Sequence, residues 1–234
     1  MILVGDIASP TLETTSCLEK VFKSYSAIFS GKNLICNLEG LISDESFLHK
    51  NKPVLYNHSS LIDLLSRETK PVFCLANNHT LDLPDNFRAT INFFNNKGIN
   101  YCGAGFSYEE ARNPVIFYDG SVKIALYNAC WDFLLYNHRN PTKGVYVSFI
   151  EESKLLYDIE LRKKNEPETF IIVFLHWGLD LEVLPFPLHR EFARALIDAG
   201  AIIVVGSHSH CIQGGEKYKN GYIIYGLGNF FVPN

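Results

Sequence analysis

Short runs of apolar, often β-branched residues recur along the chain at 2–4, 33–36, 71–75, 115–118, 122–127, 170–175, 201–205 and 222–225. Each has strand length and is apolar at consecutive positions, as expected of strands covered on both faces. Helical spacing fills several of the gaps. Over 12–29 it predicts one helix with Leu18, Val21, Phe22, Tyr25 and Ile28 on a single stripe. A Ser cap at 59, with Asp63 in the first turn, opens a predicted helix to 67. Over 84–97 the residues Phe87, Ile91 and Phe94 share a face ahead of Gly98, and over 187–199 Phe192, Leu196 and Ile197 do so ahead of Gly200. Both glycines suit a helix stop. The stretch 148–164 predicts a longer amphipathic helix.

Strands alternating with helices predict an α/β fold with a substantial parallel component. The runs before and after Gly120 are too close for a crossover and predict a hairpin, so a mixed sheet is expected rather than a purely parallel one. No repeat or low-complexity linker interrupts the pattern. With 234 residues, 47% of them hydrophobic, a single domain over 1–234 is expected. Segment 131–144 is aromatic, Asn-rich and aperiodic, and is predicted to be the longest loop.

Polar residues stand directly after the buried runs. Asp6 follows the first, and Asn37 and Glu39 the second. Asn77, Asn78 and His79 follow the third, His176 the run at 170–175, and His208 and His210 the run at 201–205. In open α/β sheets ligands bind at the carboxyl ends of the strands. Singly, each residue has an ordinary reading: Asp6 as a turn or cap, Asn77-Asn78 as turn formers, His176 as a core histidine. His208 and His210, two apart on an expected extended segment, would face the same side. Together the set offers imidazole nitrogen and carboxylate or amide oxygen without thiolate, a donor set for Mn, Fe or Zn. Such a site fits hydrolysis through a water of lowered pKa.

Charge narrows the function classes. Formal net charge is −4 and charged residues make up 20%, so no nucleic-acid partner is expected. The run Arg162-Lys163-Lys164, followed by Glu166 and Glu168, reads as a solvated helix end. The start, Met1 to Asp6, lacks the pattern of a secretory signal. No apolar run approaches the roughly 20 residues that span a bilayer. A cytoplasmic protein without a membrane span is expected. Of the cysteines, Cys17, Cys36, Cys74, Cys102, Cys130 and Cys211, none forms a CxxC pair. Cys36 and Cys74 lie inside apolar runs as small hydrophobes, and disulfides are not expected in a reducing compartment.

Ordered blocks carry a resemblance. They read Gly5-Asp6-Ile7-Ala8, Asn37-Leu38-Glu39-Gly40, Ala76-Asn77-Asn78-His79 with Asp82 three later, His176-Trp177-Gly178, Gly206-Ser207-His208-Ser209-His210, and Tyr225-Gly226-Leu227-Gly228-Asn229-Phe230. In order and content they resemble the CapA branch (capsule synthesis, poly-γ-glutamate) of the calcineurin-like metallophosphoesterases. The resemblance implies a four-layer αββα sandwich with mixed sheets. It implies a divalent metal, Mn, Fe or Zn, held tightly by Glu39, Asn78, His176 and His208. A second, weaker position would draw on Asp6, Glu39 and His210. His79 would be a general acid oriented by Asp82. Ala8 stands where active phosphoesterases have a histidine, and Glu39 replaces an aspartate.

The function so implied is a metal-dependent hydrolase, acting on a phosphoester through a metal-bound hydroxide, with a small-molecule or polyanionic polymer substrate. The alternatives are a capsule or polymer-handling protein with little turnover, and a metal-free interaction module. No oligomeric state follows from the sequence. His49, His58 and His138 are expected in solvent and His189 in a surface or packing role. Glu216 is expected outside the direct ligand set.

Overall fold

The computed structural model describes residues 1–45, 54–134 and 144–233. Two sheets face each other. The first runs Asn229–Phe231, Ile2–Ile7, Asn33–Leu38, Lys70–Cys74, Asn100–Cys102, and its pairings are all parallel. The second runs Gly215–Tyr218, Gly221–Ile224, Ile203–His208, Phe170–Trp177, Val122–Cys130, Val115–Asp119. Its inner pairings are parallel and its edge pairs antiparallel. The predicted hairpin across Gly120 is one of those edges. The mixed character expected of the sheets therefore holds for the second only. In the first, helices return the chain between the strands Ile2–Ile7, Asn33–Leu38, Lys70–Cys74 and Asn100–Cys102, so neighbours run parallel.

The layering follows from the alternation within each strand. In Asn33–Leu38 and Lys70–Cys74, the side chains of Leu34, Cys36 and Phe73 enter a cluster with Leu18, Phe22, Leu61, Leu65, Phe87 and Phe94 of the covering helices. Their neighbours Ile35, Val72 and Cys74 point the other way. There they meet Ile124, Leu126, Ile172, Phe174 and Val205 of the second sheet. The second sheet's remaining faces, Ala125, Tyr127, Ile171, Val173 and Val204, pack on Leu155, Ile159, Phe192 and Leu196 of helices Glu152–Asn165 and Pro187–Ala199. The order is helix, sheet, sheet, helix. Strands buried on both faces explain the unbroken apolar runs.

Several local expectations are corrected. The helix predicted over 12–29 breaks at Tyr25 into Leu12–Ser24 and Ser26–Phe29. Val21, Tyr25 and Ile28 are exposed, and the buried apolar residues are Leu18, Phe22 and Phe29. The helix Ser59–Glu68 is capped not by Ser59 but by His58, whose Nδ1 accepts from the Ser60 amide at 3.1 Å. His58, expected in solvent, thus has a structural role, and its Nε2 lies 3.6 Å from Asp44. Of the two roles expected for His189, packing holds: it is buried, stacked on Trp177 at 4.6 Å and edge-on to Trp131 at 4.8 Å. Burial lowers its pKa to about 4. His49, His138 and much of the loop expected over 131–144 lie outside the described residues. Among the described residues, no helix is long and apolar enough to cross a membrane.

Candidate metal centre

The first sheet delivers its polar residues where its strands end. Asp6 sits next to Asn37 on one side and Asn229 on the other. Its carboxylate is fully buried, with Oδ1 accepting from Asn37 Nδ2 at 2.8 Å and Oδ2 from the His208 backbone amide at 3.2 Å. Asn37 Oδ1 in turn accepts from Asn77 Nδ2 at 3.1 Å, and Asn77 Oδ1 from the His79 amide at 3.1 Å. This amide chain fixes the loop that carries Asn78 and His79. Burial raises the Asp6 pKa, partly offset by His210 and its hydrogen bonds.

Glu39 is the telling residue. It is fully buried, and neither carboxylate oxygen has a hydrogen-bond partner. Its pKa is driven well above the ordinary carboxylate value by burial, then by Asp6, Asp180 and Asp82. A buried, unpartnered carboxylate costs several kcal/mol by order of magnitude. Its Oε1 lies 3.9 Å from His176 Nε2. Asp6, Glu39 and His176 present one donor atom each, all within 4.8 Å of one another. Two carboxylates and an imidazole suit a borderline divalent cation, and a cation would answer the orphaned charge.

The second sheet supplies the imidazoles. His176 is fully buried, its Nδ1 against Ser207 Oγ at 3.0 Å and its Nε2 against Asn78 Oδ1 at 2.8 Å. Burial, then His208, His79 and His210, push its pKa well down, so it is a neutral donor. The His208 ring lies 4.8 Å from it and titrates near 4, chiefly through burial. His208 and His210 do not lie on an extended segment as expected. Both have positive φ, 89° and 54°, and their rings are 6.0 Å apart. His210 Nδ1 meets Asn229 Oδ1 at 2.6 Å and Asp6 Oδ2 at 3.5 Å.

The six residues that the resemblance implies as metal ligands, Asp6, Glu39, Asn78, His176, His208 and His210, lie together at one place. Among the Asp, Glu and His donors there, two sets of three lie close together, and Asp6 also approaches His210. Asp6 falls in with Glu39 and His176, while His208 and His210 form a second group with Asp180. His79 stands beside them, its Nδ1 2.8 Å from Asp82 Oδ2. That same carboxylate oxygen accepts from the Leu55 amide at 3.0 Å. Ala8 is buried, and its amide donates to Phe231.

Residues 2–234 match the sequence family described as bacterial capsule synthesis protein PGA_cap. The chain belongs to that family. Among PGA_cap relatives, it is 32% identical to the capsule biosynthesis protein CapA of Bacillus anthracis over 162 residues, 68% of this chain and 39% of that protein. It is 25% identical to the PGA biosynthesis protein CapA of Bacillus subtilis over 225 residues, 91% of this chain and 56% of that protein. The chain therefore spans about half the length of these relatives. Among solved structures it resembles a Staphylococcus aureus protein assigned as a 5'-nucleotidase in complex with alpha-ketoglutarate. That likeness has a TM-score of 0.56 at 16% identity and covers 95% of this chain and 47% of the other. At that identity it shows the fold alone.

At this PGA_cap site the sequence pattern assigns no role to Asp180 or Asn229. Asp180 follows His176-Trp177-Gly178 closely, and that proximity is the one signal it gives, but it lies in a loop beyond the strand. Asn229 sits in a terminal motif that carries no role in the sequence reading. Glu216 forms a paired salt bridge with Arg194 (2.9 and 2.7 Å) and accepts from Tyr225, which lowers its pKa to about 2.

Proposed function

We propose that this chain is a metal-dependent hydrolase of phosphoesters acting in capsule or poly-γ-glutamate biosynthesis. The observation that carries the reading is the Glu39 carboxylate, buried and unpartnered within reach of Asp6 and His176. These three, with Asn78 alongside, would hold the cation. A divalent cation there supplies Lewis acidity toward a phosphoryl oxygen and toward water. The chain's own residues do the rest. Asp82 holds His79 Nδ1 at 2.8 Å, which fixes the ring and leaves Nε2 as the nitrogen that passes a proton to the leaving oxygen. The backbone amide of Leu55 keeps the carboxylate oriented. The His79 side chain is 23% exposed, so it reaches the cleft while the ligands lie deeper. The substrate class that fits is a small phosphoester or a phosphorylated segment of a polyanionic polymer.

A second reading, in which the same pocket binds a polyanionic chain with little turnover, is favoured by Ala8, which brings no donor where active phosphoesterases have histidine. The two separate in one experiment. Wild type and His79→Asn are assayed for bound metal and for phosphate release from generic phosphoesters. Hydrolysis predicts metal in both, with turnover lowered roughly 10²-fold or more in the variant. Equal loss of metal and activity assigns His79 to the ligand set. No turnover in either protein, with stoichiometric binding of poly-γ-glutamate, selects the second reading.

A further inference from the structure

Asp180 belongs to no group the sequence singles out, yet it lies where two imidazoles converge. Its Oδ1 is 3.6 Å from His208 Nε2 and 4.0 Å from His210 Nε2. Neither distance is a hydrogen bond. A tetrahedral cation with bonds of about 2.0–2.2 Å separates its ligands by about 3.4 Å, close to the first of these spacings. The donor atoms of Asp180, His208 and His210 all fall within 4.8 Å of one another.

Other observations point to a ligand here. His210 Nδ1 is committed to Asn229 Oδ1 at 2.6 Å. With the proton on Nδ1, the lone pair sits on Nε2, which faces Asp180. A fixed second nitrogen of this kind is the usual support of a metal-bound histidine. The His208 side chain is 93% buried, and its Nδ1 has no partner. The backbone is strained at the same place. Four non-glycine residues among those described have positive φ: Leu181, His208, His210 and Lys219. The first three are in or adjacent to this group, and the Leu181 amide donates to the Ser209 carbonyl at 2.9 Å. Strain of this kind persists where surrounding structure enforces it, and it clusters at functional sites.

We infer that Asp180 is a metal ligand, completing with His208 and His210 a second divalent-cation position on the solvent side of the one built from Asp6, Glu39 and His176. The inference rests on the proposed metal-dependent reading and extends it. Two oxygens and a nitrogen serve the inner position, while two nitrogens and an oxygen serve the outer. The outer donor set offsets the missing donor at Ala8 by recruiting a carboxylate from another loop.

The test is a calorimetric titration of chelator-stripped full chain with Zn²⁺, repeated with Co²⁺ while the visible absorption of the bound ion is followed. Wild type is expected to take two equivalents. Asp180→Asn, at a 70% exposed side chain, should fold normally and weaken one class of site by more than about 100-fold, leaving the other within threefold. His210→Gln should weaken the same class and change the same Co²⁺ absorption. Two equivalents in wild type with unchanged affinities in Asp180→Asn would overturn the inference, and so would a single equivalent insensitive to Asp180. Those results would leave the inner site and the proposed function intact. No equivalent in wild type would remove both.

Discussion

Replacing Glu39 by methionine tests whether its buried carboxylate is there for a cation. The methionine side chain keeps roughly the volume and removes the charge. In the metal-free protein the carboxylate is buried with both oxygens unpartnered, an arrangement that costs stability. Removing an unsatisfied buried group should return about 1–3 kcal/mol. The opposite holds with metal. A cation present at 100 times its dissociation constant stabilises the wild type by about 2.7 kcal/mol. For a chain of 234 residues, each kcal/mol moves the midpoint by roughly 2–4 °C, so the rise should be about 5–11 °C. The assay is thermal unfolding of both proteins in chelator and in excess Zn²⁺ or Mn²⁺. Glu39→Met should melt above wild type in chelator and show most of the metal response gone. A wild type that does not respond to metal would refute the reasoning. So would a variant that melts lower in chelator yet keeps the full rise.

Two further perturbations probe the frame of the site. A Cβ on Gly5 would stand 1.8 Å from the Gly228 carbonyl oxygen, whereas one on Gly98, at φ 64°, meets nothing within 4 Å. Chemical denaturation should therefore show Gly5→Ala destabilised by about 3 kcal/mol or more, and Gly98→Ala by only about 1–2 kcal/mol, the left-handed penalty alone. His189 titrates near 4 instead of 6.5 because it is buried. The unfolded chain therefore binds this proton first as pH falls. Stability is fully present above pH 6.5, falls between 6.5 and about 4, and levels off below. The loss amounts to about 3 kcal/mol. His189→Phe should flatten that part of the pH–stability curve, and an unchanged slope would show that the stacked imidazole does not contribute to it.

The strands of the sandwich were legible because burial on both faces leaves an unbroken apolar run, as at Leu34 to Cys36 and Ile171 to Leu175. The candidate donors were legible for the same reason: a polar residue directly after such a run has to sit at the strand's end. What was not legible depended on contacts remote in sequence. Strand Asn229–Phe231 joins the first sheet by pairing with Ile2–Ile7, and that pairing alone makes Asn229 the partner of His210. Asp180 reaches the histidines because the Leu181 amide ties its loop to Ser209. The Tyr25 break interrupts a helical period that the sequence carries straight on. His58 as a cap was hidden behind the more usual Ser59, one position later.

The placement of the donors gives the site a mechanical consequence. Asp6 and Glu39 belong to the first sheet and its following loop, while His176 and His208 end strands of the second. Among the described residues, Asn33 Nδ2 bridges the far end of the seam to the Tyr118 carbonyl and Asp119, and further polar contacts cross it near the site. Asn128 of the second sheet accepts from the Ala76 amide at 2.7 Å and donates to the Phe174 carbonyl of its own sheet. The His208 amide donates to Asp6. His176 meets Asn78. A cation held by Glu39 and His176 would join the sheets directly and at the same time satisfy the orphaned Glu39 oxygens. Its binding energy would then be spread over the whole sandwich, because separating the sheets would require releasing it. The metal response of Glu39→Met should accordingly be visible in global unfolding, not only in local order around the cleft. Hydrogen exchange at the seam would show this as metal-dependent protection of Ala76, whose amide lies between the sheets, equal in size to the protection of core amides in both. Protection confined to the 176–181 and 206–210 segments would show that the cation orders a loop without bridging the sheets.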